Sequence, residues 1–524
     1  MNLNGLNFCG KTRFGTGAST FRAVNPATGE TLSPDFFEAT PAEAAETAGR
    51  AHEAFQRYRA KSGAEKARFL DAIADEILEL GEALIDRCSA ETGLPPARLI
   101  GERGRTINQL KLFAQLLREG SWVDARIDRA VPERQPLPKP DVRSMERPLG
   151  PVAVFGASNF PLAFSVAGGD TVAALAAGCS VVVKAHPAHP GTCEMIAAAI
   201  QKACAKCDLP DAVFSMVHGV SVEVGMALVR HPLIKAVGFT GSFKGGKAIF
   251  DAAAARAEPI PVYAEMGSVN PVFILPEALR RNGETIAVGL AGSVTLGVGQ
   301  FCTNPGVFIM EDSYESKLFE LKLAENIRKT TAGVMLTNGI RQAYENGVKT
   351  LAAQPGVELV AEGENDDQNR SPARFLKTGA ASFLSDRHLE EEVFGPSTLA
   401  VVAGRRDEVF EIARNLKGHL TASLFGTGDD FENYRELIAV LEQKVGRLIV
   451  NEFPTGVEVC HAMHHGGPFP ATTDRRTTSV GTRAITRFTS PVCYQNFPDS
   501  LLPDELKDDN PLGIWRIVDG NREP

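Results

Sequence analysis

The chain has 524 residues, 44% of them hydrophobic and 23% charged, with a formal net charge of -9. A chain this long exceeds one hydrophobic core, so we expect two or three domains. The acidic balance, without a basic stripe, argues against a nucleic-acid partner. No apolar run reaches the ~18 residues of a membrane span, and the N-terminus lacks a secretory signal pattern. Nine scattered cysteines predict reduced thiols in the cytoplasm rather than a disulfide framework.

The first predicted elements are helices. Thr-Pro-Ala-Glu at 40–43 and Ser-Gly-Ala-Glu at 62–65 are both typical of a capping box that opens a helix. A third helical run covers 103–117, with apolar residues at helical spacing. The proline-rich, charged stretch within 122–148 is a poor core segment, and it predicts a protruding hairpin.

From residue 151 onward, short apolar runs alternate with helical stretches. Strands are predicted at 152–155, 181–183, 236–239 and 272–275, and the stretch 192–203 is one of the helices between them. This alternation is the pattern of a parallel sheet with crossover helices, so the sequence predicts the α/β class.

Two residues predict covalent chemistry. Cys302 lies in the glycine-rich run Gly-Val-Gly-Gln-Phe-Cys-Thr-Asn-Pro-Gly, where a thiol does not pack as a core hydrophobe. Glu265 ends an apolar strand and is followed closely by glycine. A thiol nucleophile and a general base are the pair needed to attack a carbonyl. Either residue alone also has a structural explanation, since buried cysteines are common.

A phosphate-binding turn is predicted where a strand runs into Gly241 and Ser242 and a helix begins. The free backbone N–H groups and the positive end of the helix dipole would suit a pyrophosphate. The spacing is not GxGxxG, and a turn glycine with a capping serine is the alternative explanation. Lys184, at the end of the preceding strand, could reach a ribose or phosphate, or could be an ordinary solvated lysine.

Two cysteine patterns are assigned no metal. The pair at 204 and 207 has no second pair downstream and follows a helical run, so it is interpreted as a helix end. The Cys/His cluster at 460–465 is followed by glycines, with no carboxylate at metal-ligand spacing. It is interpreted as part of a substrate-side loop over 451–481.

Taken in order, the motifs resemble those of the NAD(P)-dependent aldehyde dehydrogenase superfamily over nearly the whole chain. The matching segments are 25–30 (Asn-Pro-Ala-Thr-Gly-Glu), 91–94 (Glu-Thr-Gly-Leu), 150–155 (Gly-Pro-Val-Ala-Val-Phe), 158–161 (Ser-Asn-Phe-Pro), the strand ending at Lys184, 239–242 (Phe-Thr-Gly-Ser), 265–267 (Glu-Met-Gly), 299–302 (Gly-Gln-Phe-Cys) and 392–396 (Glu-Val-Phe-Gly-Pro).

The resemblance implies an α/β, aldehyde dehydrogenase-like fold with four parts. They are a Rossmann-type NAD(P)-binding domain at 1–121 and 149–262, an α/β catalytic domain at 263–450, a β oligomerisation arm at 122–148 and 482–524, and the loop at 451–481. The arm would reach a neighbouring subunit in a homodimer or homotetramer.

The resemblance also implies residue roles. Cys302 would attack the aldehyde to give a thiohemiacetal, Asn159 and the Cys302 N–H would stabilise the oxyanion, and Glu265 would activate water to hydrolyse the thioester. The expected cofactor residues are Lys184, His186, Gly219, Gly225, Gly241, Ser242, Glu392 and Phe394.

Three departures from the family pattern are informative. Pro187 stands where NAD-selective members carry a glutamate that accepts bonds from the ribose 2′-hydroxyl. Without that carboxylate, Lys184 or His186 could contact a 2′-phosphate, so we expect NADP to be preferred or used alongside NAD. Ser158 replaces a tryptophan, and His-Gly-Gly-Pro at 465–468 replaces the usual Phe-Gly-Gly-x-Lys.

These departures resemble two subgroups, the α-ketoglutaric semialdehyde dehydrogenases and the NADP-linked long-chain aldehyde dehydrogenases. The first oxidise 2,5-dioxopentanoate to 2-oxoglutarate. Arg105 favours that substrate, because a guanidinium in the tunnel could bind a distal carboxylate; the alternative is an arginine extended to solvent. The expected substrate residues are Arg105, Gln109, Phe160, Phe164, Phe301 and Thr455.

Other classes of enzyme fit less well. A cysteine hydrolase needs a thiol and a base, but neither the Gly241–Ser242 turn nor Glu392. A relative that transfers the acyl group to coenzyme A could dispense with Glu265. The pattern therefore favours hydrolysis of the thioester after oxidation.

Overall fold

The computed structural model describes residues 3–17, 19–365 and 370–524. Residues 1, 2, 18 and 366–369, which the predicted domains include, lie outside the described residues. The described chain forms two large sheets covered by helices and one smaller sheet. The helices are α1 Pro41–Tyr58, α2 Gly63–Glu79, α3 Gly81–Thr92, α4 Pro96–Glu119, α5 Gly169–Ala177, α6 Pro190–Lys206, α7 Val222–Arg230, α8 Phe243–Ala254, α9 Pro276–Thr295, α10 Tyr314–Arg328, α11 Asn338–Ala352, α12 Ala380–Ser385, α13 Arg406–Asn415, α14 Gly428–Asn433 and α15 Arg435–Leu441.

The 3₁₀-helical turns are short and join the larger elements. They are Ser121–Val123, Leu296–Gly299, Arg387–Glu390, Thr482–Phe488, Asp499–Leu501 and Asp504–Leu506. Two small ribbons pair β3 (Thr20–Val24) with β4 (Thr31–Phe37), and β14 (Gly333–Val334) with β16 (Arg370–Ser371).

The first large sheet has the strand order β11-β10-β7-β8-β9-β1-β2. Its strands are β1 Asn7–Cys9, β2 Thr12–Phe14, β7 Val152–Phe155, β8 Val181–Lys184, β9 Phe214–Val217, β10 Ala236–Thr240 and β11 Val262–Glu265. The neighbours from β11 to β9 are parallel, which confirms the predicted parallel sheet with crossover helices. The antiparallel strands β1 and β2 were not predicted, because three-residue strands carry too few residues for a pattern.

The capping of the helices beside this sheet follows the sequence. The Thr40 and Ser62 capping boxes are both formed, which confirms the predicted starts of α1 and α2. Glu91 caps a helix other than its own. Its buried carboxylate accepts the N–H groups of Gly191 and Thr192, each at 2.8 Å. It thereby satisfies free donors at the start of α6.

The second large sheet has the order β15-β17-β18-β13-β12-β19-β20. Its strands are β12 Val272–Ile274, β13 Val307–Glu311, β15 Glu358–Glu362, β17 Arg374–Gly379, β18 Ser397–Ala403, β19 Thr421–Phe425 and β20 Arg447–Val450. Only the edge pair β15 and β17 is antiparallel among these described strands. Since β11 belongs to the first sheet, the predicted domain boundary at 262/263 falls inside a strand.

The third sheet has the order β21-β6-β5-β22-β23 and joins the two segments predicted as the arm. Its strands are β5 Arg126–Asp128, β6 Val142–Pro148, β21 Thr489–Gln495, β22 Arg516–Val518 and β23 Asn521–Glu523. The predicted start of its second segment at 482 is too early. Residues 482–488 form a 3₁₀ helix whose Arg487 donates to Asp170 of α5 at 2.5 Å, so this turn packs on the first sheet's helices.

The strand register brings the chemistry-bearing residues to one edge. Phe155 pairs with Lys184, and Thr240 pairs with Glu265, each at the carboxyl end of its strand. Crevices at the carboxyl ends of parallel strands are where α/β proteins bind ligands. No helix in the described chain combines the length and apolar character needed to cross a membrane.

Candidate active site

Cys302 follows a tight turn between α9 and β13. Gly297, Val298 and Gly299 all have positive φ, at 56°, 59° and 63°. Glycine adopts this region readily, whereas the β-branched Val298 is strained there. A side chain at 299 would collide with the backbone of Gly395, at 2.3 Å. This closely packed turn leads the chain from α9 to Cys302, whose side chain is partly exposed.

Glu265 is the last residue of β11 and is 3% exposed. The following backbone is held on both sides, because the N–H of Met266 donates to Ala471 and the N–H of Gly241 donates to the Glu265 carbonyl. The carboxylate is therefore fixed between the first sheet and the segment 451–481.

His465 contacts both Glu265 and Cys302, and it was not among the residues predicted from the sequence. Its Nε2 lies 3.0 Å from Glu265 Oε1 and 3.6 Å from Cys302 Sγ, and the side chain is fully buried. Ser479 Oγ donates to the other carboxylate oxygen at 2.5 Å. The available signal was the departure itself, since His465 stands where the family pattern has phenylalanine.

One ring nitrogen serves both contacts. An ionised carboxylate only accepts hydrogen bonds, so His465 Nε2 carries the proton of its contact with Glu265, and Cys302 Sγ lies 3.6 Å from the same nitrogen. His465 Nδ1 is buried without a partner among the described residues. The imidazole therefore donates to the carboxylate and to a developing thiolate, rather than relaying a proton between its two nitrogens.

The electrostatics distinguish the thiol from the carboxylate. Burial, together with the charge of Glu265, raises the pKa of Cys302 well above its usual value. Burial would also raise the pKa of Glu265, but the interactions with His465, Ser479 and Cys302 lower it to about 2. A protonated thiol thus faces an ionised carboxylate, and the resting site holds a nucleophile that needs a base.

The same three side chains have a donor set that could hold a metal ion. One ligand atom from each of Glu265, Cys302 and His465 lies within 4.8 Å of the others. Zinc uses these ligand types, but it would occupy the sulfur electron pair that attacks a carbonyl. The absence of a metal site remains a prediction.

Asn159 follows β7 and is 8% exposed. Its Nδ2 donates to the carbonyl of Gln300 at 3.1 Å. Arg98 Nη2 donates to the backbone carbonyl of Asn159 at 2.7 Å. Since the amide nitrogen carries two hydrogens, one is left over after the bond to Gln300.

A group of cationic and histidine side chains lies at the ends of β8 and β9. Burial lowers the pKa of Lys184 to about 8, and burial lowers the pKa of His186 well below its usual value. The ring of His186 stacks on His189 with 5.3 Å between centroids. His218 is fully buried, and neither ring nitrogen has a partner among the described residues. Burial also lowers the pKa of His218, to about 3, so Lys184 rather than the rings of His186 and His218 would supply positive charge to an anionic ligand.

The turn at Gly241 and Ser242 forms the start of α8, and its role in binding phosphate stays a prediction. Ser242 caps α8 by accepting the N–H of Gly245 at 3.2 Å, and it lies exposed together with Gly241. A side chain at Gly241 would meet the ring of Phe239 at 2.7 Å. The first N–H groups of α8 therefore face an open cradle, which fits a bound pyrophosphate.

The remaining predicted cofactor residues lie in two places: Gly219 and Gly225 are closely packed, and Glu392 and Phe394 line a cavity. A Cβ on Gly219 would lie 2.9 Å from Val224, and one on Gly225 would lie 2.9 Å from Phe155, so both sites require glycine. Glu392 accepts the N–H of Ser268 at 3.4 Å. In addition, Glu392, Phe394 and Phe301 line one cavity.

The predicted substrate residues fall into two groups. Phe160 packs edge-on against Phe164 and Phe301, with centroids 5.5 and 5.4 Å apart, and Arg105 lies over the Phe164 ring at 5.0 Å. Arg105 Nη2 is buried without a hydrogen-bond partner among the described residues. Burial lowers the pKa of this guanidinium, while Glu102, Cys302 and Glu265 raise it.

Gln109 and Thr455 have other neighbours in the structure. Gln109 is 3% exposed, and its Nε2 would lie 2.9 Å from a side chain added at Gly169. Thr455 shares a hydrogen bond with Ser293 of α9. Their roles toward a substrate remain predictions.

Comparison with known proteins gives one consistent result. The model of the aldehyde dehydrogenase family matches residues 14–490. The chain is 52% identical to α-ketoglutaric semialdehyde dehydrogenase 2 of Azospirillum brasilense over 100% of both chains. It is 46% identical to α-ketoglutaric semialdehyde dehydrogenase of Acinetobacter baylyi, over 99% of this chain and 98% of that one.

Solved structures show the same fold. Betaine aldehyde dehydrogenase of Staphylococcus aureus, solved in complex with NAD+, aligns with a TM-score of 0.80 at 20% sequence identity. The alignment covers 94% of this chain and 95% of that one.

The shared ring nitrogen generates a test. His465→Phe removes the donor with little change in ring size, so burial of Glu265 is opposed only by Ser479 and Cys302, and the pKa of this carboxyl rises from about 2. We expect the acid side of the kcat profile to move to higher pH. We also expect alkylation of Cys302 by iodoacetamide to slow by about 10-fold, one pKa unit of lost thiolate stabilisation.

The control is His465→Gln, which keeps an N–H donor and should lie between the wild type and His465→Phe. Cys302→Ala identifies the alkylated thiol. Identical pH profiles and alkylation rates in the wild type and His465→Phe would contradict the role of the imidazole.

Proposed function

Since the chain belongs to the aldehyde dehydrogenase family, we propose that it oxidises α-ketoglutaric semialdehyde (2,5-dioxopentanoate) to 2-oxoglutarate. The observation that supports the substrate is the guanidinium of Arg105 near Cys302 and Glu265, whose buried Nη2 has no hydrogen-bond partner among the described residues. Both near-full-length relatives described above carry the name of this activity. A linear aldehyde with a carboxylate at its far end matches that charge.

Cys302 is the nucleophile in this proposal. Glu265 lies within 4.8 Å of its sulfur and is ionised, so it can accept the thiol proton as the C–S bond forms. The N–H of His465 donates to the sulfur as it becomes negative. The product of this step is a tetrahedral thiohemiacetal.

Asn159 stabilises the oxyanion of that adduct. Its second amide hydrogen and the backbone N–H of Cys302 are fixed donors in a site with little water, where they act strongly. A bound nicotinamide cofactor supplies the hydride acceptor. The oxidised product remains on Cys302 as a thioester.

Hydrolysis of the thioester is assigned to Glu265. After its proton has passed to solvent, the carboxylate takes a proton from the attacking water, and Ser479 and His465 hold it in place. The acid is released, and the proton passes to the departing sulfur, which regenerates the Cys302 thiol.

We propose NADP as the preferred cofactor or one used together with NAD. The N-terminus of α8 with Gly241 and Ser242 would hold the pyrophosphate, and Lys184 with His186 would face the adenosine ribose. Pro187 offers no carboxylate to repel a 2′-phosphate. The positive charge of Lys184 at the end of β8 supports a phosphate at this position.

Two other proposals follow from the sequence. The five-stranded arm sheet would pair or pack with a second copy of the chain in a homodimer or homotetramer. All nine cysteines, which lie in the described residues, are unpaired, and this supports a reducing compartment such as the cytoplasm.

Two alternative enzyme functions predict different features of this site. A long-chain aldehyde dehydrogenase would gain nothing from the charge of Arg105 in the tunnel. A cysteine hydrolase would use the opposite nitrogens of its histidine, whereas His465 uses one nitrogen for both contacts. Neither alternative is favoured by a separate observation.

The chemistry is tested at Cys302 and Glu265. Cys302→Ala removes the thiol and should abolish aldehyde oxidation. Glu265→Gln should slow thioester hydrolysis more than formation, because water depends on a base more strongly than a thiol does. Rapid mixing should then show a burst of at most one equivalent of reduced cofactor, followed by slow turnover. Full steady-state activity of Cys302→Ala would refute the mechanism.

Cofactor choice is tested at Pro187. Pro187→Glu places a carboxylate where it would face the 2′-phosphate, a penalty of ~1–3 kcal/mol in a partly desolvated site. The KM for NADP should rise much more than the KM for NAD. Pro187→Gln, similar in size and uncharged, is the matched control. An unchanged NADP-to-NAD ratio would show that the adenosine ribose is bound elsewhere.

Substrate choice is tested at Arg105. Arg105→Met should lower kcat/KM for 2,5-dioxopentanoate by about 100-fold or more, since a charge-assisted contact is lost and the carboxylate is left desolvated. Hexanal should be oxidised as well as before, or better. The ratio of the two values is the measurement, because a folding defect would lower both. A ratio that does not change would favour the long-chain aldehyde alternative.

A further inference from the structure

Arg98 of α4 contacts both loops that carry the reacting groups. Its Nη2 donates to the carbonyl of Asn159 at 2.7 Å. Its guanidinium carbon lies 5.1 Å from the ring centre of Phe160 and 4.9 Å from that of Phe301. Phe160 follows the oxyanion asparagine and Phe301 precedes the nucleophile. One planar cation therefore lies between the neighbours of Asn159 and Cys302.

The same side chain reaches the strained turn before Cys302. A Cβ added to Gly297 would lie 3.0 Å from Arg98 Nη1, so the guanidinium packs directly over this glycine. Gly297 begins the run of three residues with positive φ. Nη1 is buried and has no hydrogen-bond partner among the described residues. Packing, rather than a second hydrogen bond, holds this end of the guanidinium.

Helix α4 holds the asparagine loop at a second point, one turn further on. Glu102 accepts the N–H groups of Leu162 and Ala163, at 2.8 and 2.9 Å. Arg98 and Glu102 thus fix the two ends of the segment 159–163. The side chain of Asn159 is fixed as well, through its bond to Gln300. The distance between Asn159 and Cys302 therefore depends on the position of α4.

We propose that Arg98 is a positioning residue that keeps the oxyanion donor Asn159 and the Cys302 turn at their reactive separation. The inference rests on the oxyanion role assigned to Asn159 under the proposed function. Arg98 differs from Arg105, whose cation is directed at the substrate's distal carboxylate. The two arginines share a helix and contact the same ring, yet they act on different ends of the reaction.

The test compares two aldehydes and two kinetic constants. Arg98→Ala should lower kcat by roughly 10- to 100-fold for both 2,5-dioxopentanoate and hexanal, because a misplacement of about 1 Å costs this much. KM for both should stay within about 2-fold. Guanidinium ion added at a non-denaturing concentration should restore part of kcat, since it can occupy the space between the phenylalanine rings. Arg98→Lys should retain more activity than Arg98→Ala.

Arg103→Ala is the matched control. Arg103 lies on the same helix and donates to the carbonyl of Gly81 at 2.7 Å, away from the reacting groups. The Arg103→Ala variant should lose a comparable arginine–carbonyl bond and a similar part of its thermal stability. Its kcat should stay at the wild-type value, and added guanidinium should have no effect.

Three outcomes would overturn the inference. The first is an unchanged kcat in Arg98→Ala. The second is a loss of kcat that Arg103→Ala reproduces and guanidinium does not repair. The third is a rise of KM for the dioxo acid alone, which would make Arg98 a substrate ligand. By contrast, a wild-type enzyme that oxidises neither aldehyde would refute the proposed function itself.

Discussion

The contact between His465 and Glu265 sets the charge state of the whole reaction centre. Burial alone would favour a neutral carboxylic acid at this position, and a neutral acid cannot accept a proton. Two donors, the imidazole and the hydroxyl of Ser479, reverse that preference. The thiol beside them stays protonated. The nucleophile is thereby kept protonated and the base ionised in the same desolvated site.

Three distant parts of the chain must meet to build this contact. Strand β11 supplies Glu265 from the first sheet, the turn after α9 supplies Cys302, and the segment 451–481 supplies His465. The last segment runs beside β11, with an isolated bridge between Glu265 and Thr472. The rigid sheet fixes the carboxylate, and irregular backbone brings the other two groups to it. This division is common in enzymes, where loops carry chemistry on a fixed scaffold.

The sequence predicted what local patterns encode. Short apolar runs predicted β7, β8 and β10, and the capping boxes predicted the starts of α1 and α2. Cys302 stood out because a thiol among glycines has no packing role. His465 could not be assigned in this way, since its meaning depends on a partner 200 residues earlier in the chain. Arg98 was equally hidden, because its hydrogen bond is to a backbone carbonyl, which leaves no trace in side-chain identity.

The lowered pKa of Lys184 has a consequence for proton balance. At about 8, this amino group is largely protonated at neutral pH and loses its proton in mildly alkaline solution. An anion bound beside it favours the protonated form and raises the pKa again. Binding of such an anion above pH 8 therefore takes up a proton from the buffer, and the affinity falls as the pH rises further. Calorimetry in buffers of different ionisation enthalpy would record this uptake directly as a change in the apparent heat of binding.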